Sequence, residues 1–293
     1  MLALGLYSGR VMVVDEATGE EKWADQAHSV DSRAHVAMSP SGRFVASVWF
    51  ANSDGCWGWE LLDAASGDVH MEGITHDGTH PSCICSVQNR AWREECPVVA
   101  HTSDLSSMAF SPCGQRLATG SKDGVVILWD TQTGEAEQRL EQRLHGGPQK
   151  GHQRRIQSLS FSADGARLAS SSGARLLGDS AIRIWDVTTG VLLRTIWKQE
   201  RAQFSPTDKK LLASSTGGAK IYLWDVDTGE ILSKFAGSKF AAFSPDGRTI
   251  ATRSATSSCE VHLVDVESGT ERVRVVDQEA SVLCASFGVN PKP

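Results

Sequence analysis

The sequence predicts an all-β chain in which one supersecondary unit, a four-stranded antiparallel sheet, recurs along the whole length. Three observations carry this. A short apolar run ending in Asp is followed, three residues on, by Ser-Gly or Thr-Gly at 15–19, 63–67, 130–134, 186–190, 225–229 and 265–269. A second turn, built on Ser-Pro-x-Gly or a close variant, recurs at 38–42, 110–114, 161–165, 204–208 and 243–247. Between these turns the apolar runs are short and rich in β-branched and aromatic residues, with no helical spacing.

The repeat at 104–140 justifies each element in turn. Residues 105–110 (Leu-Ser-Ser-Met-Ala-Phe) form a first strand, and 111–114 a turn in which Pro112 fixes φ and Gly114 tolerates φ > 0. Residues 116–121 form a second strand, closed by Lys-Asp-Gly, and 125–129 (Val-Val-Ile-Leu-Trp) a third. After the turn at 130–134, residues 136–140 complete the sheet. Such a sheet cannot bury both faces alone, so copies must stack around an axis.

The pattern resembles the WD40-repeat β-propeller family. Trp-Asp stands at Trp129-Asp130, Trp185-Asp186 and Trp224-Asp225, and decays to Val264-Asp265, Leu62-Asp63 and Val14-Asp15. The resemblance implies an all-β WD40-type propeller of four-stranded antiparallel blades. It also implies a buried brace in which a His before the first strand, a Ser or Thr on the second, an Asp in the next turn and the Trp hydrogen-bond together. Mapped here, one brace is His101, Ser121 (or Thr119), Asp123 and Trp129; a second is His152, Ser172, Asp179 and Trp185. The other blades lack the full set, so their stability rests on apolar packing.

Six blades are evident, with a decayed seventh open. The segment 74–103 fits no full repeat and is either an irregular insertion or that decayed blade. Residues 2–6 and 10–14 match a second and a third strand, and 281–287 a first, so the C-terminal strand is expected to pair with the N-terminal strands and close one ring over 1–293. The apolar start is short, has no basic residue ahead of it and no small-residue cleavage site, which argues against a signal peptide.

A net charge of −6 argues against general binding to nucleic acid or membranes. Seven cysteines without regular spacing read as reduced thiols, hence an intracellular and cytoplasmic setting. Five basic residues lie between Arg139 and Arg155, with no aromatic residues interleaved for base stacking. His76, His80, Cys83 and Cys85 offer metal-ligand chemistry, but their spacing matches no standard zinc motif, and packed thiols in a loose insertion are the default.

No Gly-x-Ser-x-Gly elbow, phosphate-cradling loop or zincin helix is present, so no catalytic residue and no cofactor is assigned. The expected work is protein–protein interaction, in an adaptor or scaffold that takes a protein or acidic peptide segment on loops at one end of the sheets. By resemblance those loops carry Arg33, Asp104, Arg154, Arg155, Lys198 and Lys239, just before each first strand. A structural subunit of a large assembly is a second reading. A ubiquitin-ligase substrate receptor is a third, weakened because no Arg follows two residues after any Trp-Asp.

Overall fold

The computed structural model describes residues 2–5, 11–15, 20–25, 35–51, 56–75, 101, 103–140, 151–152, 154–173, 180–207, 210–215, 220–254 and 260–276. Among them there is no helix. The chain divides into two compact units, 1–151 and 152–293.

Among the described residues the first unit holds three sheets. The N-terminal one has three strands, β1 (Leu2–Gly5), β2 (Val11–Val14) and β3 (Glu21–Asp25), in that order. Next come β4 (His35–Met38), β5 (Phe44–Ala51), β6 (Cys56–Asp63) and β7 (Val69–Thr75), then β8 (Leu105–Phe110), β9 (Arg116–Ser121), β10 (Val126–Asp130) and β11 (Ala136–Arg139). Each set of four forms a sheet in sequence order, with every pairing antiparallel.

Among the described residues the second unit repeats the four-stranded plan three times. Its sheets are β12 (Ile156–Phe161), β13 (Arg167–Ser172), β14 (Ala181–Asp186) and β15 (Leu192–Trp197); β16 (Gln199–Phe204), β17 (Lys210–Ser215), β18 (Lys220–Asp225) and β19 (Ile231–Ala236); and β20 (Ser238–Phe243), β21 (Thr249–Arg253), β22 (Glu260–Asp265) and β23 (Glu271–Val276). The observed sheets match the predicted repeat. The expected C-terminal strand at 281–287 and the closure it would give lie outside the described residues.

The recurring Asp turn has one cause in its five described copies. An Asp carboxylate oxygen accepts two backbone N–H groups, as Asp130 does from Gln132 at 2.7 Å and Thr133 at 2.8 Å. Asp63, Asp186, Asp225 and Asp265 repeat this. The closing Gly takes positive φ, 73° at Gly134, and donates its N–H to the Asp carbonyl at 2.9 Å. These carboxylates are structural: the backbone donors hold Asp63, Asp130, Asp186 and Asp225 below the usual aspartate range.

Neighbouring sheets within a unit bury their faces against each other. Ala46, Val48, Trp59 and Leu61 of the second sheet meet Leu105, Leu117, Ile127 and Trp129 of the third. The opposite face of the second sheet, through Val45 and Leu62, meets Val11 and Val13. In the second unit Ile182, Ile184 and Ile196 pack on Ala202 and Phe204, and Ile221 and Leu223 on Phe243 and Ile250. The expected irregular segment 74–103 needs one correction. Ile74 and Thr75 are regular members of β7, paired with Gly58 and Trp57, while 76–100 lie outside the described residues.

Candidate functional site

Two buried histidine braces sit in the sheets; the first is centred on Thr119, the alternative named from the sequence, and the second on Ser170, which was not expected. Trp129 on β10 is opposite Leu117 on β9, so its ring reaches the diagonal neighbour two residues along, Thr119. The Trp129 indole N–H donates to Thr119 Oγ1 at 2.7 Å, and His101 Nε2 lies 2.7 Å from the same oxygen. Ser121, two residues further along the strand, instead donates to Asp123 Oδ1, which also accepts the Val125 N–H at 2.9 Å. The expected alternative, Thr119, is therefore the hub, and Ser121 serves the turn.

The second brace follows the same geometry. Trp185 is opposite Leu168, and its N–H donates to Ser170 Oγ at 2.8 Å. His152 Nε2 is 2.7 Å from Ser170 Oγ, and Nδ1 is 2.7 Å from Ser172 Oγ. Ser172 is thus a partner of the histidine, as expected, while Ser170 is the hub that touches the Trp. Arg183, directly opposite Ser170 on β14, donates to His152 Nδ1. Because Arg can only donate, Nδ1 is the acceptor and the proton sits on Nε2. Asp179 lies outside the described residues.

These groups are chemically quiet. Burial pushes the His101 imidazole down to about 4, opposed by the Asp123 carboxylate and assisted by the Arg139 guanidinium. Burial and then the Arg183 charge hold His152 well below the ordinary histidine range. The Ser170–His152 pair has the composition of a nucleophile and a base. Yet Ser170 has no exposed surface, its oxygen is taken by Trp185, and a cation stands where a triad carboxylate would.

The strand ends next to the braces carry the candidate binding residues. Arg154 and Arg155 are exposed just ahead of β12. Lys198 is exposed and is the single residue between β15 and β16; its φ is 64°, and its N–H donates to Ser180 O at 2.7 Å. Asp104 precedes β8, where its carboxylate pairs with Lys122 and its carbonyl accepts the Lys122 N–H at 2.8 Å. Lys239 differs from the expectation: it lies inside β20, in the irregularity between Ser238 and Ala241, not ahead of the strand. Arg33 lies outside the described residues, as do His76, His80, Cys83 and Cys85. Among the described residues no cluster of His, Cys, Asp and Glu could hold a metal ion.

Strand pairing brings the ends of one sheet together. Ile156 pairs with Ser172, Ser172 with Ala181 and Ala181 with Trp197, one row across β12–β15. Arg154 and Arg155 at its β12 end and Lys198 at its β15 end therefore share one edge. Sequence reasoning left Thr119 and Ser121 undecided and missed Ser170, Arg183 and the exposed Trp197. Register arithmetic from the Trp finds both hubs; no local pattern marks the other two.

The sequence matches the family described as "WD domain, G-beta repeat" over residues 94–130 and 145–186. It is similar to "WD repeat-containing protein 1" of Xenopus tropicalis and of Mus musculus, each 30% identical over 118 residues, 40% of this chain and 18% of the relative. It is also similar to "Nuclear distribution protein PAC1" of Coccidioides posadasii, 27% identical over 181 residues, 47% of this chain and 38% of the relative. The match thus spans well under half the length of these relatives.

Proposed function

We propose that this chain, which belongs to the WD40-repeat family, is a non-catalytic protein-interaction scaffold that takes an acidic protein segment at the strand-end edge carrying Arg154, Arg155 and Lys198. One observation carries the reading. These exposed cations stand at the edge of a sheet whose interior is locked by the His152–Ser170–Trp185 brace. A rigid sheet with a charged edge binds by presenting groups in fixed positions, which lowers the ordering cost of association. An intracellular setting and a single domain over 1–293 belong to the same reading.

A second reading has its own support. Val191, Leu193, Ile231 and Leu232 are exposed aliphatic side chains around the starts of the outer strands β15 and β19. Arg194 ties these two regions by donating to Asp227 O at 2.8 Å. Such a surface suits a structural subunit held by its sides.

Affinity purification from the native cell, with an Arg154→Glu/Arg155→Glu variant alongside, separates the two. A few stoichiometric partners lost in the variant support the edge. An unchanged large complex supports the lateral surface and sinks the edge reading.

A further inference from the structure

Trp197 is the most exposed large apolar side chain among the described residues, at 59%. Its backbone is nevertheless fixed. Trp197 pairs with Ala181, and the following Lys198 is held at φ 64° by its N–H bond to Ser180 O. A non-glycine residue in the left-handed region costs on the order of 1 kcal/mol, so the one-residue connection is a constrained element. An indole in water on a constrained strand end is a pre-organised anchor, because little freedom remains to be lost on binding.

The exposed charges described around this anchor are predominantly positive. Arg154, Arg155, Lys198 and Arg201 are exposed along the edge or just beyond it. Glu200 is the acidic residue described there, and its stem lies against Gly173, where an added Cβ would stand 2.9 Å from Glu200 Cγ and 2.8 Å from Gln157 Nε2. The row Ile156–Ser172–Ala181–Trp197 crosses three strand intervals. At about 4.8 Å per interval the backbone of Ile156, which directly follows the arginine pair, is about 14 Å from that of Trp197, the reach of about four extended residues at 3.3 Å each.

We propose that this edge binds an extended acidic segment carrying one large apolar side chain about four residues from its acidic group, with the apolar side chain seated on Trp197 and the acidic group on Arg154 and Arg155. The inference rests on the edge reading above and adds to it an anchor, a spacing and a direction. The exposed cations supply charge complementarity; the indole supplies the apolar contact that pure charge attraction lacks.

The test pans a random twelve-residue displayed peptide library on the full chain at physiological salt. Selected peptides are then synthesised and titrated by fluorescence anisotropy against Trp197→Ala, Trp197→Phe and Arg154→Glu/Arg155→Glu. The expected winners carry an acidic cluster and a large apolar residue at the stated spacing. Trp197→Ala and the arginine double variant should each weaken binding by about tenfold or more, with Trp197→Phe retaining most of it. Should Trp197→Ala fail to fold, Trp197→Gln gives the same readout. Acidic winners that ignore Trp197 substitution overturn the anchor and leave the edge reading standing. Winners without acidic residues that ignore both sites, or no winners at all, overturn both.

Discussion

Trp224 and Ala213 stand in the register that joins Trp185 to Ser170. Trp224 is opposite Leu211, and Ala213 lies two residues along β17, where Ser170 lies on β13. Alanine offers no hydroxyl, and among the described residues the Trp224 indole N–H has no hydrogen-bond partner. The sheet of β4–β7 has the converse defect: Leu62 replaces the Trp, and the Ser47 hydroxyl at the hub place is buried with no partner among the described residues.

Restoring the missing hydroxyl should therefore stabilise the second unit. Ala213→Ser gives Trp224 an acceptor, for a gain of about 1 kcal/mol. Urea unfolding followed by circular dichroism measures it; a loss of stability would contradict the register argument.

Removing a hub hydroxyl should cost more than removing its neighbour. Ser170→Ala strips partners from both the Trp185 indole and His152 Nε2, a loss of about 1–3 kcal/mol. Thr119→Ala should likewise exceed Ser121→Ala, since only Thr119 touches both His101 and Trp129. Equal costs for Ser170→Ala and Ser172→Ala, or for Thr119→Ala and Ser121→Ala, would contradict the hub assignment.

Stability should fall with acidification before the turn carboxylates titrate. His101 and His152 are held neutral in the fold, with His101 lowered from 6.5 to about 4. The unfolded chain then takes up protons first, so stability present above about 6.5 is lost as pH falls toward about 4. The loss from His101 is on the order of 3 kcal/mol. The turn aspartates, lowered from 3.8, lose their contribution only below that value. Denaturant midpoints at pH 7.5 and pH 5 check this; a flat profile would mean the imidazoles are not buried.

Gly237 links β19 to β20 where no side chain fits. A Cβ there would stand 2.8 Å from Thr252 Cγ2 and 3.0 Å from Ile221 Cγ1, with Thr252 Oγ1 closer still. Gly237→Ala should destabilise by about 1–3 kcal/mol through overpacking. A thermal melt shows it, and an unchanged midpoint would mean β20 shifts freely.

The repeat was legible because its turns are made by local chemistry. An Asp that caps two backbone N–H groups and a Gly at positive φ leave the same residues in every copy. The brace was legible in membership but not in wiring. Ser121 and Thr119, or Ser172 and Ser170, alternate along one strand, and only the register of Leu117 with Trp129 and Leu168 with Trp185 decides which hydroxyl meets the indole. Arg183 was hidden because it occupies a place where Ile127, Tyr222 and His262 stand in other sheets, and no composition rule marks it. Trp197 was hidden because an outer strand shows the same apolar pattern whether its side chains meet a neighbour or water.

The most direct measurement is the dissociation constant of a co-purified partner, reconstituted with this chain and with two variants. Arg154→Glu/Arg155→Glu reverses charge at the strand-end edge, and Leu193→Asp/Leu232→Asp breaks the apolar surface at the outer strands. If the edge is the interaction site, the first variant weakens binding by about tenfold or more, the second leaves it unchanged, and added salt weakens the native complex. Binding lost in the second variant and kept in the first would contradict the edge and make this chain a subunit held by its sides.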